Sequence, residues 1–251
     1  MSEPLLSVAG LCKRFGALVV TDDVTFDVRP GELHALIGPN GAGKTTLINQ
    51  LSGVLTSDRG RVVFDGVDVG RFDLPGRVQM GLARSFQITS ILPNYAVLEN
   101  VALAVQARSG SSFRFWGRVA DEAPLNKAAE AALSRVGLVG RSAVRAGNLA
   151  HGEKRLLELA IALATAPKLL LLDEPLAGLG QEESAACIAL LARLKSEVAI
   201  VLVEHDMDAV FALADRVSVL ANGRILATAV PQEIRGNLTV RTAYLGDEEL
   251  L

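Results

Sequence analysis

The run Gly38-Pro39-Asn40-Gly41-Ala42-Gly43-Lys44-Thr45 restricts what this chain can fold into more than any other feature of it. It fits the pattern G-x-x-x-x-G-K-[ST], in which glycines let successive backbone N–H groups curl around phosphate oxygens at the start of a helix. The pattern requires a strand before it and a helix after it. Leu33 to Ile37 is a short apolar run, and Thr46 to Leu51 begins a helical one. In such a loop Gly38, Asn40, Gly41 and Gly43 form the backbone cradle and Lys44 neutralises the β- and γ-phosphates. Thr45 offers its hydroxyl to Mg²⁺, a hard cation that takes oxygen ligands. Thr46 adds a further phosphate contact.

A second anchor lies far downstream. Leu169 to Leu172 is a leucine run that ends in Asp173-Glu174, and in parallel sheets ligands gather beyond the carboxyl ends of strands. Asp173 is then placed to hold the Mg²⁺ shell. Glu174, one residue on, is placed to orient an attacking water or take its proton, as a phosphoryl-transfer site requires. An acidic pair after a leucine run is, alone, more often a solvated strand end. The phosphate loop reverses that reading.

The remaining pattern is that of an α/β chain. Short, partly alternating segments in residues 5–35, among them Val24, Phe26 and Val28 before Arg29-Pro30-Gly31, predict antiparallel sheet, and Arg61 to Val69 is a second such piece. Alanine-rich segments from about Gln87 to Glu153 predict a helical lobe, interrupted by the polar and aromatic run Ser109 to Gly117, within which an aromatic and basic run, Phe113 to Arg118, begins. A helix with Leu156, Leu159, Ala160 and Leu163 on one face follows. The strands Leu169–Leu172 and Val198–Val203 come next, apolar throughout, as strands covered on both faces are. Asn222-Gly223 between apolar runs predicts a hairpin.

Composition narrows the class. At 251 residues the chain can bury a large core without disulfides or metals. Half of the residues are hydrophobic, but the richest stretch, Leu156 to Leu172, is broken by Glu158, Pro167 and Lys168, so a membrane-spanning helix is not expected. Met1 to Gly10 lacks a basic head and a sustained apolar segment, which predicts a cytoplasmic chain. Cys12 and Cys187 stand in no metal-ligand spacing and are read as small buried or neutral residues. With 28 acidic and 25 basic residues the net charge is −3, which gives no general attraction to nucleic acid, and no nucleic-acid partner is expected.

Kinases, GTPases and motor ATPases share a phosphate loop, so the other segments decide. On those the chain resembles the ABC ATPase family over nearly its whole length. Residues 38–45 match Walker A and Leu169 to Glu174 match Walker B. Gln87 in ARSFQ matches the Q-loop glutamine, and Leu149-Ala150-His151-Gly152-Glu153 the signature. Ala177 to Gly180 match the D-loop, and His205, after Val198–Val203, the switch histidine.

The resemblance implies a single α/β domain. Its P-loop NTPase (RecA-like) core has a mostly parallel sheet, with an N-terminal antiparallel β subdomain, at about residues 5–86 and 154–228. An inserted α-helical subdomain covers about 87–153, and a short C-terminal tail 229–251. It further implies ATP and Mg²⁺ as bound species. Two cassettes close head to tail, each ATP lying between one chain's Walker A and the other's signature. Ala150, His151, Gly152, Glu153 and Gly180 thereby become nucleotide-contacting residues. Gln87 would sense the γ-phosphate and Mg²⁺ while linking the helical lobe to a membrane partner. His205 would contact the γ-phosphate and help order the attacking water, and Phe15, in KRFG, would stack on adenine. Singly, each has a plainer reading as a surface Gln, a satisfied structural His and a core Phe.

The chain departs from the family pattern at Ala150, where Ser is usual, and at Gly180, where Asp or Asn is common. The first departure removes a hydroxyl hydrogen bond to the opposing γ-phosphate, a loss of roughly 1 to 3 kcal/mol. Amides around Gly152, at a helix start, can still hold an anion. Both a subfamily trait and the weaker of two unequal ATP sites fit these changes.

Shorter marks look most like the ATPases of branched-chain amino-acid importers: RFGALVVTDDV, ARSFQ followed by VLENV, the Ala-containing signature, and AYLG at 243–246. That resemblance implies a second, related but different ATPase chain, two membrane permease subunits and, indirectly, a periplasmic solute-binding protein. The chain would then sit peripherally on the inner face of the cell membrane. Importers of urea, amides or other small solutes are an alternative, as is a soluble ABC ATPase acting on ribosomes or DNA. The last usually carries two cassettes, a long coiled coil or a strongly basic surface, and this chain has none of these.

Overall fold

The fully buried strands gather in one sheet, and most of the partly exposed ones form another. The computed structural model describes residues 3–85, 91–108 and 123–245. In it β1 (Leu6–Phe15) pairs antiparallel with β2 (Leu18–Val28). After β3 (Leu33–Ile37), β4 (Arg59–Phe64) pairs with the other edge of β1 and with β5 (Val67–Asp68), giving a sheet of order β2-β1-β4-β5.

The second sheet contains β3, β6 (Leu82–Arg84), β7 (Leu169–Asp173), β8 (Ala199–Val203), β9 (Arg216–Ala221) and β10 (Arg224–Ala229). Its order is β10-β9-β3-β8-β7-β6, parallel except for the β9–β10 hairpin. That hairpin turns at Asn222 (φ 49°) and Gly223 (φ 76°), the left-handed pair that a tight two-residue turn needs.

The central strands are covered on both faces, as their composition demands. Leu169, Leu171, Val201 and Val203 point into a core shared with the antiparallel sheet and with α1 (Lys44–Ser52). Leu170, Leu172, Ile200 and Leu202 point the other way, into a core built with α5 (His151–Ala164) and α6 (Gln181–Leu194). The period of two along each strand assigns alternate residues to opposite cores. The phosphate loop and the acidic pair emerge at the carboxyl edge of the sheet between them.

Beyond β6 come α3 (Val97–Arg108) and α4 (Ala123–Val136), which pack on one another and on α5. Because α5 is wedged between these helices and the sheet, its buried face is wider than one stripe: Leu157 is fully buried, while Leu156 is only half-buried. Upstream, α2 (Leu74–Met80) is capped by Asp73, whose carboxylate accepts the Gly76 amide, and it carries Arg77 onto the α1 carbonyls of Gln50 and Leu51. After β8, α7 (Met207–Leu213) is capped in the same way by Asp206.

The expected tail at 229–251 is organised as far as Leu245. Pro231 opens α8 (Pro231–Gly236), and α9 (Leu238–Leu245) follows. Ile234 and Val240 bury against Ala35, Ile37, Val217 and Val219, closing the outer part of the sheet. No helix among the described residues is long and apolar enough to cross a membrane.

Candidate nucleotide site

The phosphate loop leaves the carboxyl end of the central strand β3 and turns directly into α1. Two glycines make the turn possible. A Cβ at Gly38 would lie 2.0 Å from the Leu220 carbonyl oxygen, and one at Gly43 would lie 2.5 Å from that of Val20. Gly43 (φ 104°) also caps α1 without any side-chain hydrogen bond, so the leading amides of the helix keep their capacity for an anion. The loop is braced from behind, where Gly223 N–H donates to the Ala42 carbonyl and Asp22 N–H to the Gly223 carbonyl. Asn40 and Gly41 are exposed at the rim, and Thr45 and Thr46 are half-buried in the first turn of α1.

Lys44 is buried, and its Nζ donates to the carbonyls of Gly38 (2.6 Å) and Pro39 (3.0 Å). Burial pulls its pKa down from the ordinary lysine value, while Glu174 and Asp173 nearby hold it up. The same field couples the loop to the end of β7, next strand but one in the sheet.

Asp173 is buried, and burial raises its carboxyl pKa against the opposing pull of Arg84. Its Oδ2 receives Arg84 Nη2 at 3.3 Å, but its Oδ1 is buried with no hydrogen-bond partner. A partnerless anionic oxygen at a strand end, close to a phosphate loop, is the donor type a hard cation takes. Arg84 escaped the sequence reading. It stands at the end of β6, donates to Asn49 Oδ1 in α1 and so joins the strand that leads toward Gln87 to both anchors of the site. An arginine just after apolar Leu82-Ala83 was the available signal.

Glu174 leaves the strand in a left-handed conformation (φ 52°), uncommon for a residue with a Cβ and a frequent mark of functional positions. The turn brings its Oε1 to 2.7 Å from His205 Nε2. Both side chains remain partly open to solvent. The structure thus gathers Gly38 to Thr46, Asp173, Glu174 and His205 at one carboxyl edge.

The other expected site residues are distributed around this edge. Phe15 is half-exposed at the tip of the β1–β2 hairpin, with Lys13 Nζ 5.7 Å from its ring centre, and the same hairpin touches the phosphate loop at Val20. Gln87 and the run Phe113 to Arg118 lie outside the described residues, as does Gly246 of the AYLG mark. Beside Ser85, a groove lined by Leu74, Val78, Ala83, Ala104 and Ile161 opens between α2, α3 and α5.

Ala150 to Glu153 start α5, and among the described residues no hydrogen bond or ion pair ties them to the phosphate loop of the same chain. His151 is exposed and packs on Gly178, where a Cβ would sit 3.1 Å from His151 Nε2; Gly152 is buried against Glu183, where a Cβ would lie 2.4 Å from Oε1. Glu153 Oε2 accepts the Ala150 amide (3.0 Å) and its Oε1 pairs with Arg141 (2.7 Å). Its carboxylate thereby caps the helix start. Gly180 caps α6 and donates its amide to Glu183.

Residues 21–177 match the family described as ABC transporter. The high-affinity branched-chain amino acid transport ATP-binding protein LivG of Escherichia coli (strain K12) is 40% identical, aligned over 98% of this chain and 100% of that protein. The corresponding transport protein BraF of Pseudomonas aeruginosa is 37% identical over 98% of this chain and 100% of its own. The ADP conformation of MJ1267, an ATP-binding cassette of an ABC transporter, superposes with a TM-score of 0.86 at 28% identity, covering 98% of this chain and 100% of that one.

Proposed function

Because the chain belongs to the ABC transporter family, we propose that it is the ATP-hydrolysing subunit that powers an importer of branched-chain amino acids. The observation that carries this reading is the gathering of the Gly38–Thr46 loop, Asp173, Glu174 and His205 at one carboxyl edge. The chain that bears them aligns end to end with transport ATP-binding proteins whose names specify branched-chain amino acids. Importers of urea or amides are the second reading, with no relative's name above in its favour.

In this reading the amides leading into α1 and Lys44 grip the triphosphate, and Phe15 stacks on adenine. Mg²⁺, when bound, supplies charge neutralisation between the phosphates. Thr45 Oγ1 and the partnerless Asp173 Oδ1 are suited to hold it, together with Gln87. Glu174 orients the attacking water and takes its proton, and His205, hydrogen-bonded to Glu174, fixes the direction of that carboxylate and contacts the γ-phosphate.

A second cassette, a related but different chain, presents its signature to this loop, and Ala150 to Gly152 serve the nucleotide of that partner. Gly180 lies at the same junction. The apolar groove beside Ser85 is the seat assigned to one of two permease subunits, which hold the chain at the inner face of the membrane and receive solute from a periplasmic binding protein.

Reconstitution with a partner cassette and the permeases tests this. Glu174→Gln is expected to bind ATP normally, lose turnover by about 100-fold or more and trap the closed dimer. Undiminished hydrolysis would remove Glu174 from the role. Turnover stimulated by leucine, isoleucine or valine with the binding protein is the expected outcome for the solute; stimulation by urea or amides alone would replace it.

A further inference from the structure

Glu204 belongs to none of the family segments, yet it is buried directly beneath the Glu174–His205 pair. It follows β8, is 5% exposed, and uses both carboxylate oxygens on the backbone: Oε1 accepts Leu176 N–H at 2.7 Å and Oε2 accepts His205 N–H at 3.1 Å. The Asp206 amide is directed at it as well. Each of these hydrogen-bond partners is a donor, so the position asks for a side chain with two acceptor oxygens.

The need for such a strut follows from the local chain. The β7–β8 ladder ends where Glu174 N–H donates to the Val203 carbonyl at 2.9 Å. The next residue, Pro175, has no N–H to give, and Glu174 itself is turned left-handed, so the backbones part at this point. Leu176 offers the first donor beyond the break, and Glu204 captures it by side chain. One carboxylate thereby ties the loop that carries His205 to the segment that runs from Glu174 into Ala177–Gly180. That segment in turn packs on His151 at Gly178.

We propose that Glu204 is a positioning residue for ATP hydrolysis. By accepting amides from both loops it sets the 2.7 Å contact between Glu174 and His205, and it links that contact to the Ala177–Gly180 segment and to His151 at the start of α5. The inference rests on the reading of Glu174 and His205 as the hydrolytic pair. Glu204 touches no reacting atom in it.

Glu204→Gln is the sharpest test, since it keeps the shape but sets an NH₂ against one of the amide donors. Glu204→Met removes both acceptors at similar volume. In the assembled transporter, Glu204→Gln is expected to lower kcat by about ten-fold with KM and the affinity for a fluorescent ATP analogue changed less than about two-fold. Amide hydrogen exchange in the full-length chain should quicken at Leu176 and His205 while the phosphate loop stays protected. Turnover within about two-fold of wild type in Glu204→Gln, beside a dead Glu174→Gln control, would overturn the proposal. So would a parallel loss of nucleotide affinity and unfolding temperature, which marks simple fold support. Retained turnover in Glu174→Gln would instead sink the reading of the pair. Should the Met variant not fold, the Gln variant decides alone.

Discussion

Lys44 shows how a residue named by a motif acquires its energetics only from its surroundings. Its charge is buried and its pKa pulled down by that burial, so the ammonium costs stability at neutral pH and is retained for what it binds. Lys44→Met should therefore weaken ATP binding by about 10- to 100-fold, the worth of a charge-assisted contact, in equilibrium titration. Urea unfolding of the same variant should move by less than about 1 kcal/mol, because the removed charge was itself disfavoured. Motif spacing singled out Lys44, Asp173 and Glu174, and the family resemblance added His205. The spacing did not contain the left-handed turn at Glu174, the partnerless oxygen of Asp173 or the guanidinium of Arg84 beside it, since each depends on which strands become neighbours.

At the scale of elements, α5 is the informative case. A helix start is best capped by Ser, Thr, Asp or Asn, and Ala150 supplies no side-chain acceptor, so only the Glu153 half of the capping box is made. Ala150→Ser should complete it and stabilise the chain by about 1 kcal/mol. In calorimetry that corresponds to a rise of roughly 2–4 °C in Tm for a chain of this size. In the proposed pairing of two cassettes the same hydroxyl would face the partner's γ-phosphate, so ATPase activity of the assembled transporter should rise if the site served by Ala150 is the weaker one. A stability gain without any change in turnover would assign Ala150 to a subfamily trait. The apolar strands and the Asn222-Gly223 hairpin were readable because their periods and turn residues are local. The helices at 231–245 were not, since short helices rich in polar residues declare themselves only when a sheet edge offers Ile234 and Val240 a place to bury.

The molecule as a whole is held together partly by one ionic knot between its sheets. Arg216, on β9, donates to Glu32 Oε1 at 2.6 Å and to Asp27 Oδ2 on β2 at 2.8 Å, while His34 Nδ1 lies 3.1 Å from Glu32 Oε1. Burial alone would raise the Glu32 pKa, but the hydrogen bonds from His34, Arg216 and the Arg29 amide outweigh it and hold the carboxyl at about 2. Its folded pKa is therefore depressed. The ionised group contributes stability that is full above about pH 5 and is lost as pH falls toward about 2, some 3 kcal/mol in all. Urea midpoints for wild type and Glu32→Gln should differ clearly at pH 7 and converge as the pH drops through 4 to 3. Asp173 and Glu204, whose pKa values burial raises, work with the opposite sign and soften the acid slope.

The sequence by itself determined the nucleotide loop, the acidic strand end, the alternation of strand and helix and the family, because backbone cradles, buried strands and tight turns each demand particular residues at short, fixed spacings. Only the tertiary structure decided how those pieces act on one another. Sheet order brought β6 beside β7, and with it Arg84 to Asp173. It also set Glu204 beneath Leu176 and turned Glu153 back into a helix cap. Contacts between residues tens to hundreds of positions apart have no local signature. They exist because burying both faces of one sheet leaves a single arrangement in which its buried charges find donors or counter-ions.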